Sequence, residues 1–217
     1  MDRVRIAALA VATLLVGCAG RGVPATVDPA AADRAVRETA PDRPLRVVFE
    51  WRILDGEARF AGDGVARIED PYRARLDLFG PKGEGYLSAA LVGTELRLPG
   101  EPDRALPPPA MIWSVLGVVN PPEDAELRGT RQNGDELELH YAVDGSRLLY
   151  VLRGPRLRLV EWRGGGRHMV VELEAAADGM PVAAAYRDWS RGTELHIGVG
   201  TVEEVESYPP DIWTLAY

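Results

Sequence analysis

Hydrophobic and polar side chains alternate along most of the chain, which is the pattern of half-buried β-strands. The clearest run spans residues 45–53, where the apolar positions are Leu45, Val47, Phe49, Trp51 and Ile53. Comparable runs follow at residues 72–78, 86–92, 95–98, 137–141, 148–152, 157–162, 169–173, 182–186 and 195–199. Asp-Gly pairs between runs predict turns, and Asp63-Gly64 is interpreted as a break in the pattern. The alternation predicts about ten or eleven strands joined mainly by hairpins, in one strongly curved or nearly closed antiparallel sheet.

Two segments depart from this alternation and predict helices. Asp28-Pro29 places an N-cap residue before a proline at the first helical position, ahead of residues 30–39. Residues 106–119 begin with a run of prolines, and apolar residues follow at helical spacing: Met111, Ile112, Val115, Leu116 and Val119. Because this second segment is apolar on most sides, we expect its helix to be buried or to cover a concave face.

Length and composition narrow the class of protein. The chain has 217 residues, of which 46% are hydrophobic, so it can bury one sizeable core. The net charge is −8 and Lys82 is the only lysine, which argues against nonspecific binding to nucleic acid. The single cysteine excludes an internal disulfide and any multi-cysteine metal site. We therefore expect no metal, no cofactor and no nucleic-acid partner.

That cysteine closes a targeting pattern at the start of the chain. Two arginines precede an apolar stretch at residues 6–16, which is too short to cross a hydrocarbon core of about 30 Å. The tetrapeptide Leu15-Val16-Gly17-Cys18 resembles a bacterial lipobox, in which the cysteine is acylated and becomes the mature N-terminus. The alternative is an ordinary secretory peptide with a buried cysteine. The lipobox predicts a signal peptide at residues 1–17, an acylated Cys18 with a flexible tether to residue 27, and one domain at residues 28–217.

Enzyme signatures are weak in this sequence. His140, His168 and His196 fall on polar registers of predicted strands, where solvated side chains are expected. The acidic pairs at residues 136/138 and 172/174 are expected on outward faces, and Glu203, Glu204 and Glu206 cluster near the end of the chain. No His-Glu-x-x-His or Gly-x-Ser-x-Gly motif is present. We expect no catalytic residues and a protein that is not an enzyme.

Three stretches resemble the LolA/LolB lipoprotein-localisation superfamily, and within it the outer-membrane lipoprotein LolB and related lipoproteins. Residues 75–87 (Arg-Leu-Asp-Leu-Phe-Gly-Pro-Lys-Gly-Glu-Gly-Tyr-Leu) are similar to its strand, Pro-x-Gly loop and strand. Residues 106–117, which end in Trp-Ser-Val-Leu-Gly, are similar to its lid helix. Residues 180–188 and 202–213 are similar to its closing strands. The resemblance covers most of residues 45–217.

The resemblance implies a mainly β (α+β) fold, in which a single curved antiparallel sheet forms a half-open β-barrel with an N-terminal helix and a mid-chain lid helix. It also implies an apolar cavity for acyl chains, although the same apolar rows would equally suit a filled core. The expected ligand-binding residues on the sheet and the lid are Val47, Phe49, Trp51, Leu76, Leu78, Met111, Ile112, Trp113, Leu116, Leu139, Tyr150, Met169, Val171 and Leu173.

One position departs from the pattern of the family. The LolB loop after the third strand carries an apolar residue at its tip, and here the loop Pro81, Lys82, Gly83 places a lysine there. A lysine contacts anionic headgroups but does not insert into hydrocarbon as leucine does. We expect this loop to face the membrane without inserting deeply.

The sequence therefore predicts a monomeric lipoprotein that binds acyl chains and acts in lipoprotein or lipid transfer. Its expected partners are membrane lipid through acylated Cys18, the acyl chains of other lipoproteins and a periplasmic carrier protein. Ala19, where an aspartate would favour inner-membrane retention, favours the outer membrane facing the periplasm. The alternative is a structural or assembly lipoprotein of the same fold with a filled core, acting through protein–protein contacts.

Overall fold

A single antiparallel sheet of twelve strands dominates the computed structural model, which describes Pro24 and residues 26–101, 106–175 and 181–215. The strands of the first half are β1 (Leu45–Asp55), β2 (Ala58–Glu69), β3 (Arg73–Phe79), β4 (Gly85–Val92) and β5 (Glu95–Arg97). The strands of the second half are β6 (Glu126–Asn133), β7 (Glu136–Val143), β8 (Ser146–Arg153), β9 (Arg156–Gly164), β10 (Arg167–Ala175), β11 (Pro181–Asp188) and β12 (Thr193–Glu204). The helices are α1 (Pro29–Thr39) and α2 (Pro109–Val115), and a 3₁₀ turn follows at Pro210–Trp213.

The strand order leaves the barrel open. It runs β5-β4-β3-β2-β1-β12-β11-β10-β9-β8-β7-β6, so that the first and last strands pair at the centre of the sheet. In the part of the chain that the structure describes, the edge strands β5 and β6 do not pair with each other. The half-open barrel and its two helices agree with the predicted fold class. The end of the sheet at Asp55 and Thr193 is called the upper rim, and the end at Leu45 and Glu204 the lower rim.

Two of the twelve strands were not predicted. Asp63-Gly64 does not break the chain, because both residues lie inside β2 and pair with β1 and β3. A side chain at Gly64 would meet the ring of Phe49 at 2.3 Å, so glycine is required there by close packing and not by a turn. β6 was not predicted because Leu127 is its only large apolar residue. The position of β6 in the sheet depends on its pairing with β7.

The predicted N-terminal helix is confirmed. Asp28 caps α1 by accepting a hydrogen bond from the Ala31 backbone N–H at 3.1 Å, and Ala32 and Ala35 form its buried face. The residues before the helix lie along β6, where the Thr130 backbone N–H donates to the Thr26 carbonyl at 2.7 Å. These contacts hold α1 against the open edge of the sheet.

The mid-chain helix is confirmed but is shorter than residues 106–119. Gly117 ends it in a left-handed conformation with φ of +84°, and the Val118 N–H donates to the Trp113 carbonyl at 3.0 Å. This pair of features forms a Schellman cap. The Trp113 indole N–H donates to the Gly93 carbonyl at 2.8 Å, which ties α2 to the turn between β4 and β5.

Buried apolar side chains form two clusters of different character. The larger cluster joins β7 to β11 with both helices and is filled by large side chains such as Tyr150, Trp162 and Met169. The smaller cluster lies under β1 to β4 around Trp51 and Trp113. Among the described residues, neither helix has the length and apolar character needed to span a bilayer.

Candidate functional site

An apolar cavity opens at the upper rim, between α2 and the concave face of the first half of the sheet. Its volume is about 1070 Å³, at the upper end of the roughly 300–1,000 Å³ common for small-molecule sites. β1 to β4 form one wall, β11 and β12 a second, and residues 98–101 and 106–107 with α2 a third. We call this space the upper cavity.

The upper cavity exists because the strands on this side carry small residues where the second half carries large ones. The concave positions of β2 opposite β1 include Gly62, Gly64 and Ala66, and Ala89 occupies the wall on β4. At comparable positions the filled half has Leu139, Tyr150 and Val171, each fully buried. The missing side-chain volume leaves space that the sheet itself cannot fill.

Aromatic rings border the mouth of the upper cavity. Tyr86 lies between Trp51, with ring centroids 4.8 Å apart, and Phe60, with centroids 5.6 Å apart. Tyr86 is 40% exposed although both neighbours are buried or half-buried. Such rings suit the entrance to an apolar site because they give a large apolar surface with a polar end.

Polar groups at the cavity are few and lie near its mouth. The Thr193 hydroxyl donates to Asp55 at 3.2 Å, and Arg191 contributes a guanidinium that lies 3.8 Å from Asp188. Burial raises the pKa of the Tyr186 hydroxyl well above its ordinary value, so that tyrosine is neutral throughout the physiological range. The deeper wall can therefore hold an uncharged apolar chain without burying a formal charge.

α2 presents different side chains to the cavity and to the core. Ile112, Val115 and Leu116 are half-buried and line the cavity, whereas Met111 and Trp113 are fully buried in the two clusters. Trp113 packs edge-on against Tyr72, with ring centroids 5.9 Å apart. Trp113 therefore anchors the helix, and Ile112 with its neighbours supplies the surface of the lid.

The fourteen residues expected from sequence to bind ligand occupy three different places. Six line the upper cavity: Phe49, Trp51, Leu76, Leu78, Ile112 and Leu116. Val47 and Leu173 line a second space at the lower rim, described next. The remaining six are packed in the buried clusters: Met111, Trp113, Leu139, Tyr150, Met169 and Val171.

The second space has a volume of about 540 Å³ and is called the lower cavity. Its walls include Val47 on β1, Leu157 on β9 and Val199 and Val202 on β12. Charged residues surround its opening at the lower rim: Arg37, Glu38, Asp42, Arg156, Glu174 and Glu204.

The loop Pro81, Lys82, Gly83 lies at the upper rim, next to the mouth of the upper cavity. The Glu84 carboxylate accepts from the Lys82 backbone N–H at 2.9 Å, and the Gly83 N–H donates to the Gly80 carbonyl at 2.9 Å. All three loop residues are exposed, and Tyr86 follows shortly after them on β4. The loop is thus placed beside the entrance to the upper cavity.

The histidines lie outside both cavities and each is close to a glutamate. His168 is 3.1 Å from Glu161 and His196 is 3.0 Å from Glu194, at partly exposed positions. His140 is buried and not solvated as expected, because it packs beside the buried Glu138, which Arg131 also contacts at 3.0 Å. Across the described ranges, no group of three or more His, Cys, Asp or Glu side chains is arranged to hold a metal ion. Cys18 and the predicted signal peptide lie outside the described residues.

Several cavity residues were missed by sequence reasoning. Phe60 was missed together with β2, and Leu87, Leu195 and Ile197 were assigned to strands but not to a site. Their alternation was visible, but pairing of β1 with β12 joins residues about 150 positions apart, and no local pattern records that contact.

Comparisons with known proteins identify the fold. No protein-family model and no curated protein matches the sequence. Among solved structures, a LolA superfamily protein from Nitrosomonas europaea is similar with a TM-score of 0.59 and 14% identity over 88% of this chain and 98% of that one. A DUF1329 family protein from Desulfovibrio piger gives a TM-score of 0.54 and 12% identity over 88% of this chain and 98% of that one. A domain from Vibrio parahaemolyticus, described as an outer membrane lipoprotein-sorting protein domain, gives a TM-score of 0.54 and 7% identity over 84% of this chain and 94% of that one.

These similarities define a class of protein by its fold. The chain has a LolA/LolB-like fold, as the motifs around residues 75–87 and 106–117 predicted. None of the three similar structures is described as an enzyme. At these identities the comparison establishes architecture, and the function has to be argued from the cavity.

Proposed function

We propose that this protein is a membrane-anchored lipoprotein that binds acyl chains in the upper cavity and acts in lipoprotein or lipid transfer at the outer membrane. The observation that carries the proposal is the upper cavity itself, with its apolar wall, its volume of about 1070 Å³ and its opening at one rim. Each methylene removed from water in such a site contributes about 0.8 kcal/mol, so one long acyl chain gains enough to bind without a specific polar contact. The fold shared with a LolA superfamily protein and a lipoprotein-sorting domain supports this reading.

We assign contact with the acyl chain to those predicted ligand residues that line the upper cavity. Trp51, Leu76 and Leu78 supply the sheet side, and Ile112 and Leu116 supply the lid. The proposed ligands are the acyl chains of other lipoproteins or of membrane lipids. A periplasmic carrier protein is proposed to deliver them to this protein.

Adjacent positions on β1 test the binding step. Ile53 is half-buried and lines the upper cavity, whereas Leu54 is half-buried on the opposite face of the sheet. Ile53→Asn is expected to weaken binding of a fluorescent fatty acid about tenfold or more, because it places an amide in the apolar wall. Leu54→Asn, the matched control, is expected to leave binding within about twofold.

Native mass spectrometry of the purified protein provides a second measurement. We expect co-purified lipid in the wild type, and none or much less in Ile53→Asn. A protein that is consistently empty and does not bind added fatty acid would support the assembly lipoprotein that acts through protein–protein contacts. Depletion of the protein should also leave other lipoproteins mislocalised if it acts in their transfer.

Membrane attachment is proposed to occur through acylated Cys18, with the cavity mouth and the loop at Lys82 facing the membrane. The lipobox at residues 15–18 supports this attachment. Cys18→Ser, which is nearly isosteric, is expected to release the protein from the membrane fraction. Retention of this variant in washed membranes would contradict the anchor and leave the binding proposal standing.

A further inference from the structure

The upper and lower cavities meet at a shared partition. Phe49 and Ile197 on the sheet and Val115 and Leu116 on α2 line both spaces. All four side chains are apolar; Phe49 is buried, and the other three are half-buried. The two cavities therefore lie end to end along β1 and β12, separated at the level of Phe49 by one layer of apolar side chains, and together they are called the path.

The partition depends on a specific packing arrangement. Phe49 pairs with Gly64 on β2 and with Val199 on β12. Any side chain at Gly64 would meet the Phe49 ring at 2.3 Å, so the outer atoms of the ring lie directly over this glycine. A larger residue at position 64 would displace the ring, so this glycine sets the position of Phe49 in the partition.

Strand geometry gives the length of each part of the path. At about 3.3 Å per residue, the six steps of β1 from Asp55 to Phe49 span about 20 Å, and the four steps from Phe49 to Leu45 add about 13 Å. An acyl chain that crosses one leaflet of a bilayer spans about 15 Å, half of a hydrocarbon core of about 30 Å. A chain with this span ends above the partition, and passing the partition requires a chain longer than the roughly 20 Å of the upper part.

The two openings differ in chemistry. The upper mouth combines the aromatic rings of Phe60 and Tyr86 with three charged residues, whereas the lower opening has six charged residues, among them Glu38, Arg156 and Glu204. An apolar chain end is stable beside Val47, Val199 and Val202 but not among those charges. A chain that enters at the upper mouth therefore has a defined end point in the lower cavity.

We infer that the lower cavity receives the distal end of very long acyl chains, which enter through the upper cavity and pass between Phe49 and Leu116. This inference rests on the proposed acyl binding and adds to it the class of lipid, namely chains longer than those that cross one leaflet. The lower cavity extends the range of chain lengths that the protein accepts.

Photo-crosslinking with the full chain tests the path directly. Hexadecanoate and tetracosanoate, each with a diazirine at the terminal carbon, are the probes, and the crosslinked peptides are mapped by mass spectrometry. The terminal carbon of hexadecanoate is expected to label upper-cavity residues such as Leu76 and Leu195. The terminal carbon of tetracosanoate is expected to label the lower-cavity peptides that contain Val47 and Val202.

Substitution of Val199 tests whether the lower cavity matters for binding. Val199→Trp fills the lower cavity from a half-buried position, and excluding as few as two methylenes weakens binding about tenfold. We expect tetracosanoate labelling in the lower cavity to fall about tenfold, with hexadecanoate labelling unchanged within about twofold. Thr201→Trp, on the exposed outer face of the same strand, is the matched control and is expected to change neither. Val202→Phe provides a second filling variant if Val199→Trp does not fold.

The outcomes separate the two proposals. If the wild type is labelled by neither probe, acyl binding fails and this inference fails with it. If hexadecanoate labels the upper cavity but the end of tetracosanoate is found there or at the rim, acyl binding stands and the lower cavity is not part of the site. Equal loss of both probes in Val199→Trp would likewise overturn the inference.

Discussion

Individual residues in this protein illustrate how burial and hydrogen bonding set stability. Tyr150 is fully buried in the larger cluster, and its hydroxyl has no hydrogen-bond partner among the described residues. Burial raises the pKa of Tyr150 well above its ordinary value and raises that of neighbouring Tyr141 to about 12. An unpaired buried hydroxyl carries a desolvation cost that the packing of the ring has to offset.

Removal of that hydroxyl is therefore expected to stabilise the protein. Tyr150→Phe keeps the ring and should raise the free energy of unfolding by about 1 kcal/mol, measured by chemical denaturation. Trp51→Phe is the contrasting variant, because the Trp51 indole N–H donates to the Asp63 carbonyl at 2.9 Å. This second change is expected to lower stability. A loss of stability in Tyr150→Phe would show that the hydroxyl has a partner, such as an ordered water.

Asp77 illustrates the opposite case, a buried charge with several partners. Its carboxylate, on the outer face of β3, accepts from Arg75 at 3.0 Å, from Ser88 at 2.8 Å and from Arg67. Burial alone would raise the pKa of Asp77, but the hydrogen bonds from Arg75, Ser88 and Arg67 outweigh it and hold the pKa below the ordinary 3.8. Arg75 also donates to the Ile212 carbonyl, so the cluster fastens the 3₁₀ turn to the sheet.

The lowered pKa gives a prediction with a defined sign. A carboxyl with a lower pKa in the folded state contributes its stability above the ordinary value of 3.8 and loses it as the pH falls through that value and below. Asp77→Asn is expected to cost about 1.5–3 kcal/mol at neutral pH, and this difference from wild type should shrink under acid. Denaturation curves over that pH range measure it. Glu95→Gln removes the partner of Arg97 in a solvent-exposed pair that also lowers the pKa of Glu95, and should show a trend of the same sign but much smaller, because water screens that pair.

At the scale of elements, α2 is a short helix with one side packed in the core and the other side lining the upper cavity. Its ends are fixed by the proline at its start and by the Schellman cap at Gly117, so its position does not depend on intrinsic helix propensity. Because its core side is buried and its cavity side is half-buried, substitutions on the two sides should separate stability from binding.

Adjacent residues of α2 provide that comparison. Met111→Ala is expected to lower the free energy of unfolding by about 2–5 kcal/mol, since Met111 is fully buried in the larger cluster. Ile112→Ala is expected to cost clearly less in stability and to weaken acyl binding, because Ile112 faces the upper cavity. Denaturation and fatty-acid titration of both variants measure the two effects. Equal effects of both variants on binding would contradict the division of the helix.

At the scale of the whole molecule, the two halves of one sheet differ. The concave face of the second half is covered by packed side chains, and that of the first half forms a wall of the upper cavity. The filled half and α1 hold the barrel in shape, and the hollow half leaves its apolar face available for a ligand. A ligand that binds the folded state alone stabilises it by mass action.

Bound lipid should therefore raise the stability of the protein as a whole. Free fatty acid at about 100 times its dissociation constant is expected to add about 2.7 kcal/mol and to raise the midpoint of thermal unfolding. Differential scanning calorimetry with and without ligand measures the shift. Ile53→Asn should show a smaller shift at the same ligand concentration, and an equal shift would mean that the ligand binds elsewhere.

The sequence by itself determined the strands with clear alternation, the N-cap at Asp28, the mid-chain helix and the order of elements that points to a LolA/LolB-like fold. These features depend on residues close together in the chain, and so local patterns record them. It did not determine β2 or β6, because Gly64 and the polar residues of β6 are explained only by their neighbours in the sheet.

The tertiary structure alone decided which half of the barrel is filled and which is hollow. That difference depends on the summed volumes of side chains brought together by pairing of β1 with β12, far apart in sequence. Leu139 and Leu76 are both apolar positions on alternating strands, yet one is packed in the core and the other lines the upper cavity. Alternation assigns a side chain to a face of the sheet, whereas the volume opposite that face decides whether it meets another side chain or a cavity.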